Sequence, residues 1–275
     1  MPPLPRRRTV QVVAHRGASE DVPEHTLAAY RKAVEDGADA LECDVRLTSD
    51  GVPVCVHDRR VDRTSDGSGL VSTLELADLA ALDFGSWKAT WDGLEETEAP
   101  DRQANRVLTL ESLLAYVVDC GRPVQMAIET KHPTRYAGLV ERRVVEVLDR
   151  FGLGHPRLGE ASSVRIMSFS WLGLRRVREL APSLGTVHLM ERVPLRMRDG
   201  SLPRGVLATG PSIEIVRAHP AYVGRAHRRG HQVHVWTVDE DADVDLCLAL
   251  GVDAIITNRP AGVRARLASA GAVRG

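Results

Sequence analysis

Pairs of charged residues two positions apart recur at the ends of short apolar runs in this chain. Glu42 and Asp44 lie near the end of one run, and Glu129 and Lys131 lie at the end of another. Side chains alternate between the two faces of a strand, so both members of each pair point the same way while Cys43 points the other way. The spacing therefore predicts two clusters of charge, each at the end of a strand.

Two histidines occupy comparable positions. His15 and Arg16 directly follow the first apolar run, and His57 and Asp58 follow a short run after the second. Imidazole is the side chain best suited to proton transfer near neutral pH. We therefore expect His15 and His57 to form an acid/base pair, one activating a nucleophile and the other protonating a leaving alkoxide.

The carboxylates Glu42, Asp44 and Glu129 would repel one another if they converged. A hard divalent cation with oxygen ligands relieves such repulsion, and with open positions it can polarise a phosphoryl oxygen. We predict these three residues as metal ligands, with Mg²⁺ or Ca²⁺ favoured and Mn²⁺ also compatible. Arg16, as a planar fork, and Lys131, as a point charge, would hold the remaining phosphate charge.

Each feature also has an ordinary explanation when it is taken alone. A Glu-x-Asp pair is usually a polar strand end, a histidine after a strand is usually structural, and Glu129 with Lys131 could form a simple ion pair. The catalytic interpretation is favoured because all of these residues follow strands of the same polarity.

The elements that would position these residues alternate along the chain. Apolar, β-branched runs predict strands at residues 10–14, 40–45, 124–130, 165–169, 186–190, 206–208, 233–237 and 254–257. Amphipathic stretches predict helices at residues 26–36, 110–119, 137–151, 172–180, 220–229 and 241–250. This α/β alternation predicts a parallel sheet, and the number of units favours a TIM (β/α)8 barrel. A doubly wound open sheet is the alternative, although the chain has no GxGxxG turn after its first strand.

Two segments interrupt the alternation. The turn at residues 48–51 and the run 53–56 predict a hairpin on the second strand. The stretch 58–106 contains no clear strand and is rich in Asp, Gly, Ser and Trp, so we expect an insertion over one end of the barrel. Its Trp87 and Trp91 could shield the site or anchor the loop. The whole chain, 1–275, is expected to form a single domain.

Composition excludes several functional classes. The 275 residues carry 36 Lys+Arg against 37 Asp+Glu, a net charge of −1, and only 4% are aromatic. This argues against a nucleic-acid partner, which would favour a basic surface or stacking aromatics. Neither a secretory signal nor an apolar run of membrane-spanning length is evident, so we expect a cytoplasmic protein without stable membrane insertion.

The cysteines support the same compartment. Cys43, Cys55, Cys120 and Cys247 are scattered and form no CxxC pair, which is typical of reduced thiols. A disulfide between Cys43 and Cys55 across the hairpin is the less favoured alternative.

The chain resembles the glycerophosphodiester phosphodiesterase family. The matching N-terminal block reads AHRGASEDVPEHTLAAYRKAVEDGADALECDVRLTSDGVPVCVHDRRVDRTSDGSG, and LTLESLL, AIETKHP, VHVWTVDE and GVDAIITNRP follow in order. The resemblance implies a TIM barrel and metal-dependent hydrolysis of glycerophosphodiesters, which are small-molecule substrates, to an alcohol and glycerol phosphate. It assigns the acid/base, metal and phosphate roles to the residues named above and makes 58–106 the family's insertion.

One position departs from the family's usual Pro-Glu-Asn-Thr. This chain has His25 between Glu24 and Thr26. The resemblance implies a place for Glu24 at the edge of the site or against metal-bound water. His25 could change how the following helix is capped, or add a titrating group near the active site.

Aromatic residues near strand ends are candidates for an apolar wall against the glycerol or leaving group. Trp236 is the favoured one and Phe169 a second, although each could instead be a core aromatic. Two other functions remain open. One is a lysophospholipase D-like or cyclising phosphodiesterase on the same fold, and the other is a non-catalytic phosphodiester-binding protein.

Overall fold

A computed structural model describes residues 10–88, 105–132, 138–156 and 162–271 of the chain. Its strands are β1 (Gln11–His15), β2 (Ala40–Leu47), β3 (Pro53–Cys55), β4 (Gln125–Thr130), β5 (Val164–Ser168), β6 (Gly185–Met190), β7 (Ala208–Pro211), β8 (Gln232–Val235) and β9 (Ala254–Thr257). Its α-helices are α1 (Leu27–Glu35), α2 (Leu76–Ala80), α3 (Leu110–Asp119), α4 (Leu139–Arg150), α5 (Trp171–Leu180), α6 (Ile213–Ala218), α7 (Ala221–Arg228), α8 (Asp241–Leu250) and α9 (Pro260–Ser269).

The strands close into a parallel barrel. The order is β1-β9-β8-β7-β6-β5-β4-β2, and β1 also pairs with β2, which completes the ring. The short strand β3 lies outside the ring, antiparallel to β2. The prediction of a TIM barrel with a hairpin on its second strand is confirmed.

Side chains that point into the barrel form three layers. The middle layer is apolar and includes Val13, Ala127, Met167, Val187 and Ile256. On β1 and β4, strand alternation places polar residues two positions away on either side of this layer, namely Gln11 and His15 around Val13, and Gln125 and Glu129 around Ala127. One polar layer lies at the carboxyl ends of the strands, where barrel enzymes place their catalytic groups, and the other lies at the amino ends.

The main core lies between the barrel and its helices. Leu113 and Leu114 of α3 and Leu41 of β2 are fully buried in it, and each such side chain contributes about 2 kcal/mol. Thr26 caps the start of α1, where its hydroxyl oxygen accepts a hydrogen bond from the Ala29 N–H at 3.2 Å. Such a cap stabilises a helix by about 1 kcal/mol.

Most predicted elements lie within a residue or two of their observed bounds. The strand predicted at 206–208 exists, but its bounds are displaced to Ala208–Pro211, because a turn from Pro203 to Val206 delays its start. Helices α2, α6 and α9 were not predicted. Both α2 and α6 are short, and α9 has little apolar periodicity to mark it. Residue 137 of the helix predicted at 137–151 lies outside the described residues, as do residues 272–275.

The described part of the insertion has a small apolar cluster of its own. Val61, Val71, Leu79 and Phe84 pack there with Val54 of β3. Residues 89–104, which include Trp91, lie outside the described residues. All four cysteines are free thiols. Within the described ranges, no helix combines the length and the apolar character needed to cross a membrane.

Candidate active site

A cavity of about 160 Å³ opens at the carboxyl ends of the barrel strands. Its lining comprises His15, Arg16, Glu42, His57, Glu129, Lys131, Met167, Phe169, Leu189, Glu191, Trp236, Thr237 and Ile256. All of the predicted site residues lie in this lining except Asp44 and Glu24, which contact it from behind and from the side. Residues from far-apart parts of the chain therefore converge as the strand-end rule predicts.

Three buried carboxylates form the acidic part of the site. Glu42, Asp44 and Glu129 each place a carboxylate oxygen within 4.8 Å of the others. Burial and the charges of Asp44 and Glu129 raise the pKa of Glu42 well above its ordinary value. Burial and Asp44 likewise raise the pKa of Glu129 to about 8. These raised pKa values reflect several carboxylates close together in a site shielded from solvent. A hard divalent cation would offset that negative charge, and the all-oxygen donor set fits such an ion.

Asp44 is the carboxylate held most firmly in its charged form. Its oxygens lie 3.0 Å from Arg16 Nε, 3.3 Å from Lys131 Nζ and 2.9 Å from His25 Nε2. Burial opposes ionisation, but the hydrogen bond from His25 and the charges of Lys131 and Arg16 outweigh it, so the pKa of Asp44 falls well below its ordinary value. Lys131 Nζ also lies 3.0 Å from Glu129.

His25 belongs to this network and not to the cap of α1, which Thr26 supplies. Its Nδ1 lies 2.8 Å from the Tyr30 hydroxyl, and its φ of +60° is in the left-handed region that Asn adopts more readily than most residues. Burial lowers the pKa of His25, which favours a neutral ring that donates from Nε2 to Asp44. His25, where the family usually has Asn, thus places an imidazole donor behind a candidate metal ligand beside Arg16 and Lys131.

His15 is held by a neutral partner. Its Nδ1 lies 2.7 Å from Asn258 Oδ1, and Asn258 Nδ2 donates to Asp239 Oδ2 at 2.6 Å. An amide oxygen only accepts, so Nδ1 carries the proton and Nε2 is the basic ring nitrogen. Burial, then the neighbouring charge of Arg16, lowers the pKa of His15 to about 3.

His57 is held by a charged partner. Its Nδ1 lies 2.7 Å from Asp58 Oδ1, and Asp58 Oδ2 accepts from Arg63 Nε at 2.7 Å. Its backbone carbonyl accepts two hydrogen bonds from Arg46. Burial lowers the pKa of His57, while the negative charge of Asp44 and the hydrogen bond to Asp58 act in the opposite direction.

Glu24 pairs both with Arg16, which follows β1, and with Arg63 of the insertion. It accepts hydrogen bonds from Arg16 Nη1 at 3.0 Å and from both terminal nitrogens of Arg63 at 2.8 Å. Burial opposes its ionisation, but Arg63 and Arg16 lower its pKa to about 2. Glu24 therefore orients Arg16 and joins the insertion to the barrel.

An aromatic pair forms one wall of the cavity. The rings of Phe169 and Trp236 meet edge to face, with centroids 5.4 Å apart. Trp236 Nε1 donates to the Gly210 carbonyl at 2.7 Å, which fixes the indole at the end of β8. Trp87 lies outside this wall and stacks against the guanidinium of Arg63 at 6.0 Å.

Several residues at this site were not predicted from the sequence. Asn258 directly follows β9, so the rule that found His15 applies equally to it, and Asp239 lies four residues after the end of β8. Glu191, which follows β6, is a further carboxylate in the cavity lining. No local pattern marks Arg63, because only the fold brings the insertion against Glu24.

Comparison with known proteins places this barrel among the phosphoric diester hydrolases. The sequence profile of the glycerophosphoryl diester phosphodiesterase family matches residues 15–262. The chain belongs to this family.

Relatives match the chain over nearly its whole length. A Mycobacterium tuberculosis protein named "Probable glycerophosphodiester phosphodiesterase 1" is 45% identical over 93% of this chain and 92% of its own length. The glycerophosphodiester phosphodiesterase of Bacillus subtilis (strain 168) is 35% identical, over 91% of this chain and 84% of its own.

Solved structures show the same fold. An Oleispira antarctica phosphodiesterase in complex with the product sn-glycerol-3-phosphate has a TM-score of 0.77 at 24% identity, covering 94% of this chain and 96% of that one. A glycerophosphodiester phosphodiesterase from Agrobacterium tumefaciens str. C58 has a TM-score of 0.73 at 23% identity, covering 93% and 99%.

Proposed function

We propose that the chain hydrolyses glycerophosphodiesters to an alcohol and sn-glycerol 3-phosphate, with a divalent cation and two histidines. The observation that carries the proposal is the convergence of the Glu42, Asp44 and Glu129 carboxylates with two imidazoles, each anchored through Nδ1. The product in the Oleispira antarctica complex supports the choice of substrate.

Glu42, Asp44 and Glu129 would hold the cation, for which Mg²⁺ or Ca²⁺ is favoured and Mn²⁺ is compatible. When bound, such an ion neutralises charge on the phosphate and polarises the phosphorus–oxygen bond. Asp44 is the ligand whose charge the protein itself secures, through Arg16, Lys131 and His25.

His15 acts as the general base. Its amide partner, Asn258, fixes the tautomer with Nε2 unprotonated, and Arg16 beside it disfavours a cationic ring. Nε2 removes the proton of the attacking oxygen, which belongs to water or to the 2-hydroxyl of the substrate. A new oxygen–phosphorus bond then forms; attack by the 2-hydroxyl leads through a cyclic phosphate that water opens.

His57 acts as the general acid. The carboxylate of Asp58 at Nδ1 favours the imidazolium, which gives its Nε2 proton to the departing alkoxide as the phosphorus–oxygen bond breaks. The two rings differ in their Nδ1 partners, one neutral and one anionic. Such differences separate the pKa values of a catalytic pair and so decide which member is the base and which the acid.

Arg16 and Lys131 bind the phosphate, and Trp236 with Phe169 packs against the glycerol or leaving group. Both cations line the cavity while their inner faces pair with carboxylates, which holds them at fixed positions. Preorganised charge of this kind costs no rearrangement as the transition state forms.

The test is a turnover assay on glycerophosphocholine with and without a chelator, followed by phosphorus NMR of the products. We expect turnover that the chelator abolishes and added metal restores, with sn-glycerol 3-phosphate as the final product. Substituting His15 or His57 by Ala should lower turnover by about 10²-fold or more while the fold is kept. His155 is a matched control because it is exposed and has no assigned role at the site, so His155→Ala should leave turnover unchanged.

A lysophospholipase D-like activity is the second candidate. Phe169, which lines the cavity, is 41% exposed, and Trp171, two residues further along the chain, is 42% exposed; such exposed aromatics would suit a lipid-bearing diester. The same NMR assay on a lysophospholipid separates the two, because faster cleavage of that substrate would reverse the order. A non-catalytic binder would show no turnover under any metal condition.

The chain as a whole is proposed to form one catalytic domain in the cytoplasm. The family profile spans residues 15–262, which supports one domain over that range. Four free thiols support a reducing compartment.

A further inference from the structure

The barrel has a second pocket at the amino ends of its strands, opposite the active site. We call it the basal pocket; its volume is about 600 Å³, and Gln11, Gln125, Arg165, His227 and His234 are among the residues that line it. These residues include the polar layer below the apolar middle of the barrel. Gln11 lies four residues before His15 on β1, so about 13 Å of strand separates the two sites.

Arg165 points into this pocket from β5. It pairs in register with Ala127 of β4 and Gly185 of β6, and only 8% of the residue is exposed. Its Nη1 makes one long hydrogen bond, 3.4 Å, to Gln125 Oε1. Its Nε and Nη2 are buried and have no hydrogen-bond partner among the described residues. These two nitrogens form one edge of the guanidinium, the edge that binds oxyanions as a fork.

His234 lies beside Arg165 and is only 3% exposed. Its Nε2 lies 3.1 Å from Gln232 Oε1, while its Nδ1 has no hydrogen-bond partner in the described part of the chain. The charge of Arg165 lowers the pKa of His234 further than burial alone. A buried guanidinium and a buried imidazole, whose lowered pKa favours the neutral ring, thus face the same pocket.

Asp253 also lines this pocket, but the hydrogen bonds described for it are made with residues other than Arg165. Its Oδ2 accepts from the Val233 N–H and lies 2.9 Å from His227 Nε2. Among the described residues, no carboxylate lies within ion-pair distance of Arg165. A buried guanidinium is rarely stable without an anionic partner, because the protein does not replace the water that it lost.

We propose that the basal pocket is a binding site for a small oxyanion, either inorganic phosphate or the phosphate group of a monoester. The Nε and Nη2 edge of Arg165 donates two parallel hydrogen bonds to it, beside the His234 ring. The site is separate from the catalytic phosphate site, because the apolar middle layer of Val13, Ala127 and Ile256 lies between them.

The test is an NMR titration of histidine-labelled protein with inorganic phosphate, at constant pH and ionic strength and with a chelator present. His234 reports the basal pocket, while His15 and His57 report the active site in the same spectrum. We expect the His234 resonances to shift and saturate. Shifts confined to His15 and His57, or a response of His234 that chloride reproduces, would overturn the proposal.

Variants then assign the binding to the guanidinium. Arg165→Met should weaken phosphate binding at His234 by about tenfold or more, with no change in turnover on glycerophosphocholine. Arg264→Met is the matched control, because the guanidinium of Arg264 is already satisfied by the Gly37 carbonyl and Asp39; it should bind phosphate normally. Equal affinity in the wild type and Arg165→Met would refute the assignment.

A third variant guards against loss of folding in Arg165→Met. Arg165→Lys keeps the charge without the fork and should bind with intermediate affinity. Repeating the titration with sn-glycerol 3-phosphate distinguishes the two ligand sources, since tighter binding of the monoester would show that the pocket also contacts the organic part.

Discussion

Replacing Asp58 with Asn tests the assignment of His57 as the general acid. The carboxylate is lost from His57 Nδ1 and an amide of the same shape takes its place. The imidazolium loses the negative partner that favours it, so the pKa of His57 falls. A general acid must be protonated, and we therefore expect activity to be lost at lower pH in Asp58→Asn than in the wild type.

The size of the effect follows from the geometry. The contact is 2.7 Å long, and both side chains are about one-third exposed, at 33% and 31%. In surroundings this wet, two unit charges at that separation attract by about 1.5 kcal/mol, or about one pKa unit. Arg63 on the other oxygen of Asp58 shares that carboxylate, so one unit is the upper figure.

The assay is kcat on glycerophosphocholine across the pH range, at saturating metal and substrate. The basic limb of the Asp58→Asn profile should move about one unit toward lower pH, while the rate on the acidic side changes little. At a pH above the limb, the variant should be up to about tenfold slower than the wild type.

Asp62→Asn is the matched control. Asp62 lies in the same segment, is exposed and pairs with Arg60, so its variant should keep the wild-type profile. If the acidic limb of the kcat profile moved in Asp58→Asn and the basic limb did not, His57 would be the base and its assignment as the general acid would be refuted. A uniform loss of rate at every pH would assign Asp58 a structural role instead.

Three further substitutions test other parts of the site. Glu129→Gln should raise the metal concentration needed for half-maximal activity by about tenfold or more, whereas the exposed Glu191→Gln should not; equal metal dependence in both would remove Glu129 from the ligand set. Trp236→Ala should raise KM by about three- to tenfold through loss of the aromatic wall, with Trp236→Phe closer to the wild type, and a fall in kcat alone would contradict this role. Glu24→Gln should reduce the fall in the free energy of unfolding at acid pH. The pKa of Glu24 in the folded protein is about 2 against an ordinary 4.5, so the stability that its ionised form contributes is present above pH 4.5 and is lost as the pH falls toward 2. After discounting for the 44% exposure of Arg63, the wild type should lose about 1–2 kcal/mol more than Glu24→Gln over that range in urea unfolding, and parallel curves would show that the ion pair does not stabilise the fold.

The amino-acid sequence by itself determined that a core set of residues converges at one end of the barrel. Strand periodicity is local, so the position of Glu42, Asp44 and Glu129 relative to their strand ends could be read without a structure. The single rule that barrel strands share one polarity then places them with His15 at one end. The same rule, applied to residue 258, would also have found the partner of His15.

The tertiary structure alone decided how each of those groups is charged and oriented. His15 and Asn258 are 243 positions apart, and Glu24 and Arg63 are 39 apart. The pKa and the tautomer of a buried group depend on which atoms lie within a few ångströms of it, and no local pattern records those neighbours. His25 and Arg165 show this most clearly. His25 was expected at a helix cap or near the active site, and only packing showed that it donates to Asp44 from behind. Arg165 was an ordinary strand residue in the sequence, and only packing showed a buried cation without a counter-charge among the described residues.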